Sequence, residues 1–91
     1  GREIGCEMTL RLKKDTEVFA VNGVLLSDSG EVILAKGEKR TFSEPLQCKW
    51  LVPDADREAA YELSLSDKKG TYTINLYFDK QTDSWTVSLT K

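Results

Sequence analysis

The sequence predicts an all-β fold, an antiparallel β-sandwich of about seven strands. Two observations carry this prediction. Apolar and polar residues alternate with a period of two, most regularly over residues 70–91, and this is the period of a strand with one buried face. Turn-forming residues recur at intervals of about 8 to 12 residues, which is typical of sandwiches and small barrels. A small antiparallel β-barrel is the alternative, because both folds place alternate residues inside.

Turn signals give the boundaries of the predicted strands. The strands span residues 3–12, 17–26, 31–35, 40–43, 46–52 and 60–66, and residues 70–91 follow as one antiparallel hairpin. Gly37 is expected to supply the positive φ of a tight turn. Asn22 and Gly23 form a strong hairpin signal, so residues 17–26 are either one strand or two short ones. Acidic residues at the front of residues 53–60 favour one or two turns of helix there.

Composition indicates one soluble globular domain over residues 1–91. Apolar residues make up 40% and charged residues 31% of the chain, with a net charge of -2. A net charge this close to zero creates no strong positive electrostatic field that would attract phosphate groups, so nucleic acid is not an expected partner. The apolar stretches are too short to span a bilayer, and we expect no membrane insertion. Because the chain begins with Gly1 rather than Met, we expect a processed or excised piece of a longer protein.

The two cysteines indicate whether the protein is located in an oxidising or a reducing cellular compartment. Cys6 is in phase with Leu10 and Cys48 with Trp50, so both thiols are expected to point into the core and could meet across two sheets. A Cys6–Cys48 disulfide would close a loop of about 43 residues and stabilise the fold by roughly 4 kcal/mol. This disulfide would imply an extracellular, cell-surface or periplasmic location. The alternative is two small buried thiols in a reducing compartment.

Residues 67–72 resemble a corner of immunoglobulin-like domains. Asp67, Gly70 and Tyr72 follow one another in the order found before the F strand of those domains. The resemblance extends over roughly the second half of the chain and implies an immunoglobulin-like sandwich. It is common to many extracellular β-sandwiches and implies no specific activity.

The sequence contains no histidine. Serine and cysteine nucleophiles therefore lack their usual base, and zinc lacks its commonest nitrogen ligand. We expect no enzyme activity and no cofactor.

The series Asp54, Asp56 and Glu58 is similar to the start of a calcium loop. Ala59 stands where that loop needs glycine, and Leu65 where it needs an acid. A solvated turn is favoured over a weak calcium site, and no metal is predicted.

Three residues of the final hairpin form the main candidate binding site. Tyr77 shares the outward face of its strand with Thr73 and Asn75. The same face carries Thr71, Thr86, Ser88 and Thr90. An uncharged, hydroxyl-rich surface with one aromatic ring suits protein or saccharide contact. It also suits an ordinary strand, because Thr and Tyr have high β propensity. Trp50 and Trp85 are instead in phase with apolar neighbours and are expected in the core.

A second candidate is the basic tip formed by Lys36, Lys39 and Arg40. Charged hairpin tips usually keep β proteins soluble, and docking of an acidic partner is the functional alternative.

These observations predict a non-catalytic binding or structural module of a secreted or cell-surface protein, whose partner is a protein or carbohydrate surface. The alternative is a small secreted enzyme inhibitor or immunity-type protein that acts through residues 35–40 or 53–59.

Overall fold

The computed structural model describes residues 6–53 and 55–90 of the 91-residue chain. Within these ranges the structure contains nine strands and no helix. The strands are β1 (Cys6–Leu12), β2 (Thr16–Phe19), β3 (Val24–Ser27), β4 (Val32–Leu34), β5 (Lys39–Phe42), β6 (Leu46–Val52), β7 (Ala60–Asp67), β8 (Gly70–Asp79) and β9 (Ser84–Thr90). The all-β prediction is confirmed.

The strands form two antiparallel sheets. One sheet has the order β1-β6-β3-β4, and the other has the order β5-β2-β7-β8-β9. The described strands do not close into a barrel, so the structure is the predicted sandwich of two sheets and not the alternative barrel. The final hairpin has the predicted form, with Ile74 opposite Leu89 and Leu76 opposite Val87 on the inner face.

The core lies between the sheets and consists of the residues that alternation places inside. Its buried apolar members are Leu10, Leu12, Val18, Ala20, Leu25, Leu34, Cys48, Trp50, Val52, Ala55, Leu63, Leu65, Ile74 and Leu76. Trp50 is the largest fully buried side chain. Trp85 is half-buried and packs against this core, so both tryptophans lie where the sequence predicts them.

Residues 17–26 form two short strands, which is one of the two predicted alternatives, but the strands do not pair as a hairpin. β2 and β3 are separate strands, but they belong to opposite sheets. Asn22 and Gly23 therefore carry the chain across the sandwich instead of closing a hairpin. The hairpin prediction was wrong because β2 finds its partners in β5 and β7, whereas β3 pairs with β4 and β6.

The crossing at Asn22 is fixed by contacts with both sheets. The Asn22 backbone N–H donates to the Glu62 carbonyl at 3.2 Å, and its side-chain oxygen accepts the Glu62 N–H at 3.0 Å. From the other sheet, the Trp50 indole N–H donates to the Asn22 carbonyl at 2.7 Å. Gly23 follows with φ of 71°, and a Cβ there would lie 2.4 Å from the Leu51 carbonyl oxygen.

The immunoglobulin-like arrangement is not confirmed. Residues 67–72 do not form a corner between sheets, because β7 and β8 are neighbours in one sheet with Asp67 opposite Gly70. The Asp67 carboxylate accepts the Lys69 N–H at 2.8 Å and closes this tight hairpin.

The helix expected over residues 53–60 is absent from the described part of that segment, which omits Asp54. The Asp56 carboxylate accepts the Glu58 N–H at 2.9 Å, and the Tyr61 hydroxyl accepts the Asp56 N–H. These side-chain hydrogen bonds favour a turn over a helix. Ala55 is fully buried and anchors the turn to the core.

The two cysteines lie on neighbouring strands of one sheet and do not face each other across two sheets. Cys6 is opposite Val52 in the ladder, whereas Cys48 is opposite Leu10. This offset of four residues separates their Cα atoms by about 13 Å along the strands, and a disulfide needs less than about 7 Å. The register therefore does not support the predicted bridge. The Cys48 thiol is buried and free, while the Cys6 side chain lies outside the described structure.

Burial raises the pKa of the Cys48 thiol to about 11, and the nearby Asp28 carboxylate adds to the shift. We expect Cys48 in a folded Cys6→Ser variant to react with a thiol reagent at least about 100-fold more slowly at pH 8 than in the unfolded chain, because only the thiolate reacts and because the folded chain buries Cys48 fully. The folded-state rate should keep rising up to about pH 11, whereas the unfolded-state rate should level off near pH 9. Rapid alkylation of the folded variant at pH 8 would show that Cys48 is accessible and ionised.

Candidate binding surface

The outward side of the five-stranded sheet carries the predicted residues Tyr77, Asn75 and Thr73. We call this surface the hydroxyl face. Its members in β7, β8 and β9 are Ala60, Glu62, Ser64, Ser66, Thr71, Thr73, Asn75, Tyr77, Asp79, Ser84, Thr86, Ser88 and Thr90. Residues 71–77 and 84–90 contain no charged side chain. The structure therefore brings the predicted residues together on one hydroxyl-rich sheet surface, which also carries Glu62 opposite Asn75 and Asp79 opposite Ser84.

Tyr77 is the exposed aromatic ring of this surface. It lies opposite Ala60 in β7 and Thr86 in β9, and 38% of the residue is exposed. Both neighbours are small, so the ring stands above the adjacent side chains. Tyr77 therefore offers an apolar ring and a hydroxyl to a partner, which is the combination favoured at protein interfaces.

Hydrogen bonds within the hydroxyl face order its polar groups. The Asn75 amide donates to the Thr90 hydroxyl at 2.8 Å. The hydroxyls of Ser66 and Thr71 are hydrogen-bonded to each other at 2.9 Å. Each of these groups retains further donor or acceptor capacity for a partner. The surface is thus partly preorganised for recognition.

The hydroxyl face continues across the sheet to Phe19 and Lys39. The register aligns five residues, one from each strand, in the order Lys39, Phe19, Ser64, Thr73 and Thr90. Adjacent strands are about 4.8 Å apart, so this row spans about 19 Å. The Lys39 ammonium lies 6.0 Å from the centre of the Phe19 ring. The row adds a second aromatic ring and one cation to the candidate surface.

Sequence reasoning missed Phe19, because residues 18–21 read as a continuous apolar stretch. The alternation of side chains along a strand could have identified it. Val18 and Ala20 are fully buried, so Phe19 between them lies on the opposite side of the strand. Only the pairing of β2 with β7 shows that this side joins the hydroxyl face.

The predicted basic tip is divided between two sides of the sheet. Lys39 belongs to the row described above, whereas Arg40 lies opposite Val18 on the inner side. The Arg40 guanidinium stacks on Phe42 at 5.2 Å and donates to the Ile33 carbonyl at 3.2 Å. Lys36 lies in the exposed turn beside Gly37, which has the expected positive φ of 83°. The three cations therefore do not form one basic surface.

The calcium-like series has no coordinating geometry in the described residues. Asp54 lies outside the described structure, the Asp56 carboxylate caps the Glu58 N–H, and Glu58 pairs with Lys80 at 3.3 Å. Across residues 6–53 and 55–90, no group of three or more His, Cys, Asp or Glu residues is placed to hold a metal ion.

In the part of the chain that the structure describes, no helix is long and apolar enough to cross a membrane. No family model matches the chain, and no curated protein or solved structure matches it.

Proposed function

We propose that this chain is a non-catalytic binding module that contacts the surface of a partner through the hydroxyl face. The observation that carries the proposal is the alignment of Tyr77, Asn75 and Thr73 with the hydroxyl side chains of β9 on one hydroxyl-rich surface. Residues 71–77 of β8 and all of β9 carry no charge, and this lowers the desolvation cost that a charged surface would impose on binding.

The composition of the hydroxyl face favours a protein partner. It combines Tyr with Ser, Thr and Asn, and this resembles the composition of antibody binding loops. Tyr supplies a large, rigid contact area, while small hydroxyl residues adapt their hydrogen bonds to the partner. A broad sheet surface also suits a macromolecule better than a small ligand, which prefers a concave pocket. A carbohydrate surface is the second partner class compatible with stacking on Tyr77.

A secreted or cell-surface location and an immunoglobulin-like ancestry remain predictions. The first was argued from a Cys6–Cys48 disulfide, which the strand register does not support. An inhibitory loop at residues 35–40 has less support than the hydroxyl face, because Lys39 and Arg40 lie on opposite sides of β5 and do not form one basic surface.

Replacing Tyr77 by alanine is expected to weaken partner binding at least 10-fold, since interface tyrosines often contribute more than about 1.4 kcal/mol. The residue is 38% exposed, so we expect a loss of stability of about 1 kcal/mol from the lower β propensity of alanine, and the variant should remain folded. The measurement is quantitative capture from an extract of the source cells, together with a panel of immobilised glycans.

Val32→Ala is the matched control. Val32 is an exposed apolar residue, 59% accessible, on β4 in the other sheet. Partners that bind through the hydroxyl face should be retained by this variant and lost by Tyr77→Ala. Equal capture by both variants would remove Tyr77 from the binding site, and binding to glycans alone would identify a carbohydrate partner.

A further inference from the structure

The outer edge of β9 differs from the three other sheet edges of the described structure. A free edge invites pairing with another strand, and proteins usually prevent it with charge or short length. β4 has only three residues, β5 has four and includes Lys39 and Arg40, and β1 carries Glu7 and Arg11. β9 has seven residues without charge, proline or glycine. It is the one described edge that lacks these protections.

The inner side of β9 also leaves apolar surface uncovered. Val87 is 43% and Leu89 is 62% exposed, although both point toward the space between the sheets. They line an open groove of about 390 Å³ whose opposite wall includes Met8 and Leu10 of β1. A strand added beside β9 would extend its sheet over this groove and cover both side chains.

We propose that β9 pairs antiparallel with β9 of a second copy of this chain, so that two five-stranded sheets become one continuous sheet. With Val87 at the twofold axis, Trp85 lies opposite Leu89 of the other copy. Thr86 then lies opposite Ser88, and Ser84 opposite Thr90. Apolar residues meet apolar residues on the inner side, and hydroxyl residues meet hydroxyl residues on the outer side.

The charge pattern favours a second copy as the occupant. Identical strands that carry charge tend to place like charges together in such a pair, and this destabilises the pairing. β9 carries no charge at any position, so its pairing with itself meets no such repulsion. The side chains also match about the twofold axis in polarity, so the strand is complementary to itself, as a symmetric interface requires. This inference concerns the edge of β9 and does not depend on a partner at the hydroxyl face.

The test is the molar mass in solution, measured by size-exclusion chromatography with light scattering from about 10 µM to about 1 mM protein, because dimer formation depends on concentration. We expect the mass of the wild-type chain to rise from 10.2 kDa toward twice that value. Val87→Lys should remain at 10.2 kDa throughout, because the two lysines would meet at the twofold axis. Val32→Lys places the same charge at an exposed position on β4 and should associate like the wild type.

Amide hydrogen exchange of the wild type provides a readout that does not depend on a variant's folding. Residues 84–90 should become more protected as the protein concentration rises, while the exposed amides of β1 should not. A mass of 10.2 kDa at every concentration, or exchange in β9 that does not depend on concentration, would overturn the proposal. Association of a folded Val87→Lys protein equal to that of the wild type would overturn it as well. A wild-type monomer that binds an extended peptide along β9 would assign the edge to another partner.

Discussion

Replacing Gly23 by alanine is expected to lower the free energy of unfolding by about 3 kcal/mol. Gly23 has φ of 71°, and an added Cβ would lie 2.4 Å from the Leu51 carbonyl oxygen and 2.9 Å from the Trp50 indole nitrogen. The left-handed backbone contributes about 1 kcal/mol of this cost, and displacement of β6 backbone contributes the rest. For a domain of this size the loss corresponds to a decrease of roughly 15 °C in the unfolding temperature.

Gly37→Ala separates the two contributions. Gly37 has a similar φ of 83°, but a Cβ there would meet no atom within 4 Å. We therefore expect a loss of only about 1 kcal/mol from backbone strain. The measurement is urea unfolding of both variants beside the wild type. Equal losses at the two positions would contradict the close approach of Gly23 to β6.

Replacing Trp50 by phenylalanine is expected to cost about 2 kcal/mol or more. Trp50 is 1% exposed, so the smaller ring leaves a cavity in the core. The substitution also removes the indole N–H that donates to the Asn22 carbonyl at 2.7 Å, so this carbonyl would lose its partner from β6. The variant should therefore lose both packing and the tie between the sheets, as measured by calorimetry or chemical unfolding.

Trp85→Phe is the comparison for this prediction. Trp85 is half-buried at the edge of the core and contacts the rings of Tyr61 and Phe78. A phenylalanine retains an aromatic ring there, so we expect a loss below about 1 kcal/mol. A larger loss at Trp85 than at Trp50 would show that the connection at Asn22 contributes little to stability.

Local alternation was sufficient to predict most strand positions and their buried faces, although it indicated about seven strands and the described residues form nine. The predicted strand at residues 46–52 has the bounds of β6, and the final hairpin has the predicted phase. These features depend on neighbours within a few residues, or on a turn that joins adjacent strands. The period of two in the sequence therefore carries the information that determines them.

Sheet membership could not be predicted in the same way, because it depends on contacts between distant residues. Asn22 and Gly23 have the composition of a hairpin turn, yet long-range pairing places β2 and β3 in different sheets. The cysteines show the same limit. Phase places Cys6 and Cys48 on the inner side, but their separation follows from the pairing of β1 with β6.

The candidate surface could be predicted only in part, because some of its residues are neighbours in the sequence and others meet only through long-range strand pairing. Tyr77, Asn75 and Thr73 alternate within one strand, and β9 follows β8 directly, so this part of the hydroxyl face could be derived from the sequence. Phe19 and Lys39 join it only through the order β5-β2-β7-β8. The sequence predicted one basic tip with Lys36, Lys39 and Arg40, but Lys36 lies in the turn before β5, and Lys39 and Arg40 lie on opposite sides of that strand.

The most direct test of the proposed function is photo-crosslinking from the hydroxyl face. Tyr77 would be replaced by the photoreactive amino acid p-benzoylphenylalanine, which retains an aromatic ring at that position, and a second variant would carry the same group in place of Val32 on the other sheet. After irradiation in an extract of the source cells, our account predicts a defined covalent adduct from position 77 and none from position 32. An adduct from position 32 alone, or none from position 77 under conditions in which the chain binds its partner, would contradict recognition through the hydroxyl face.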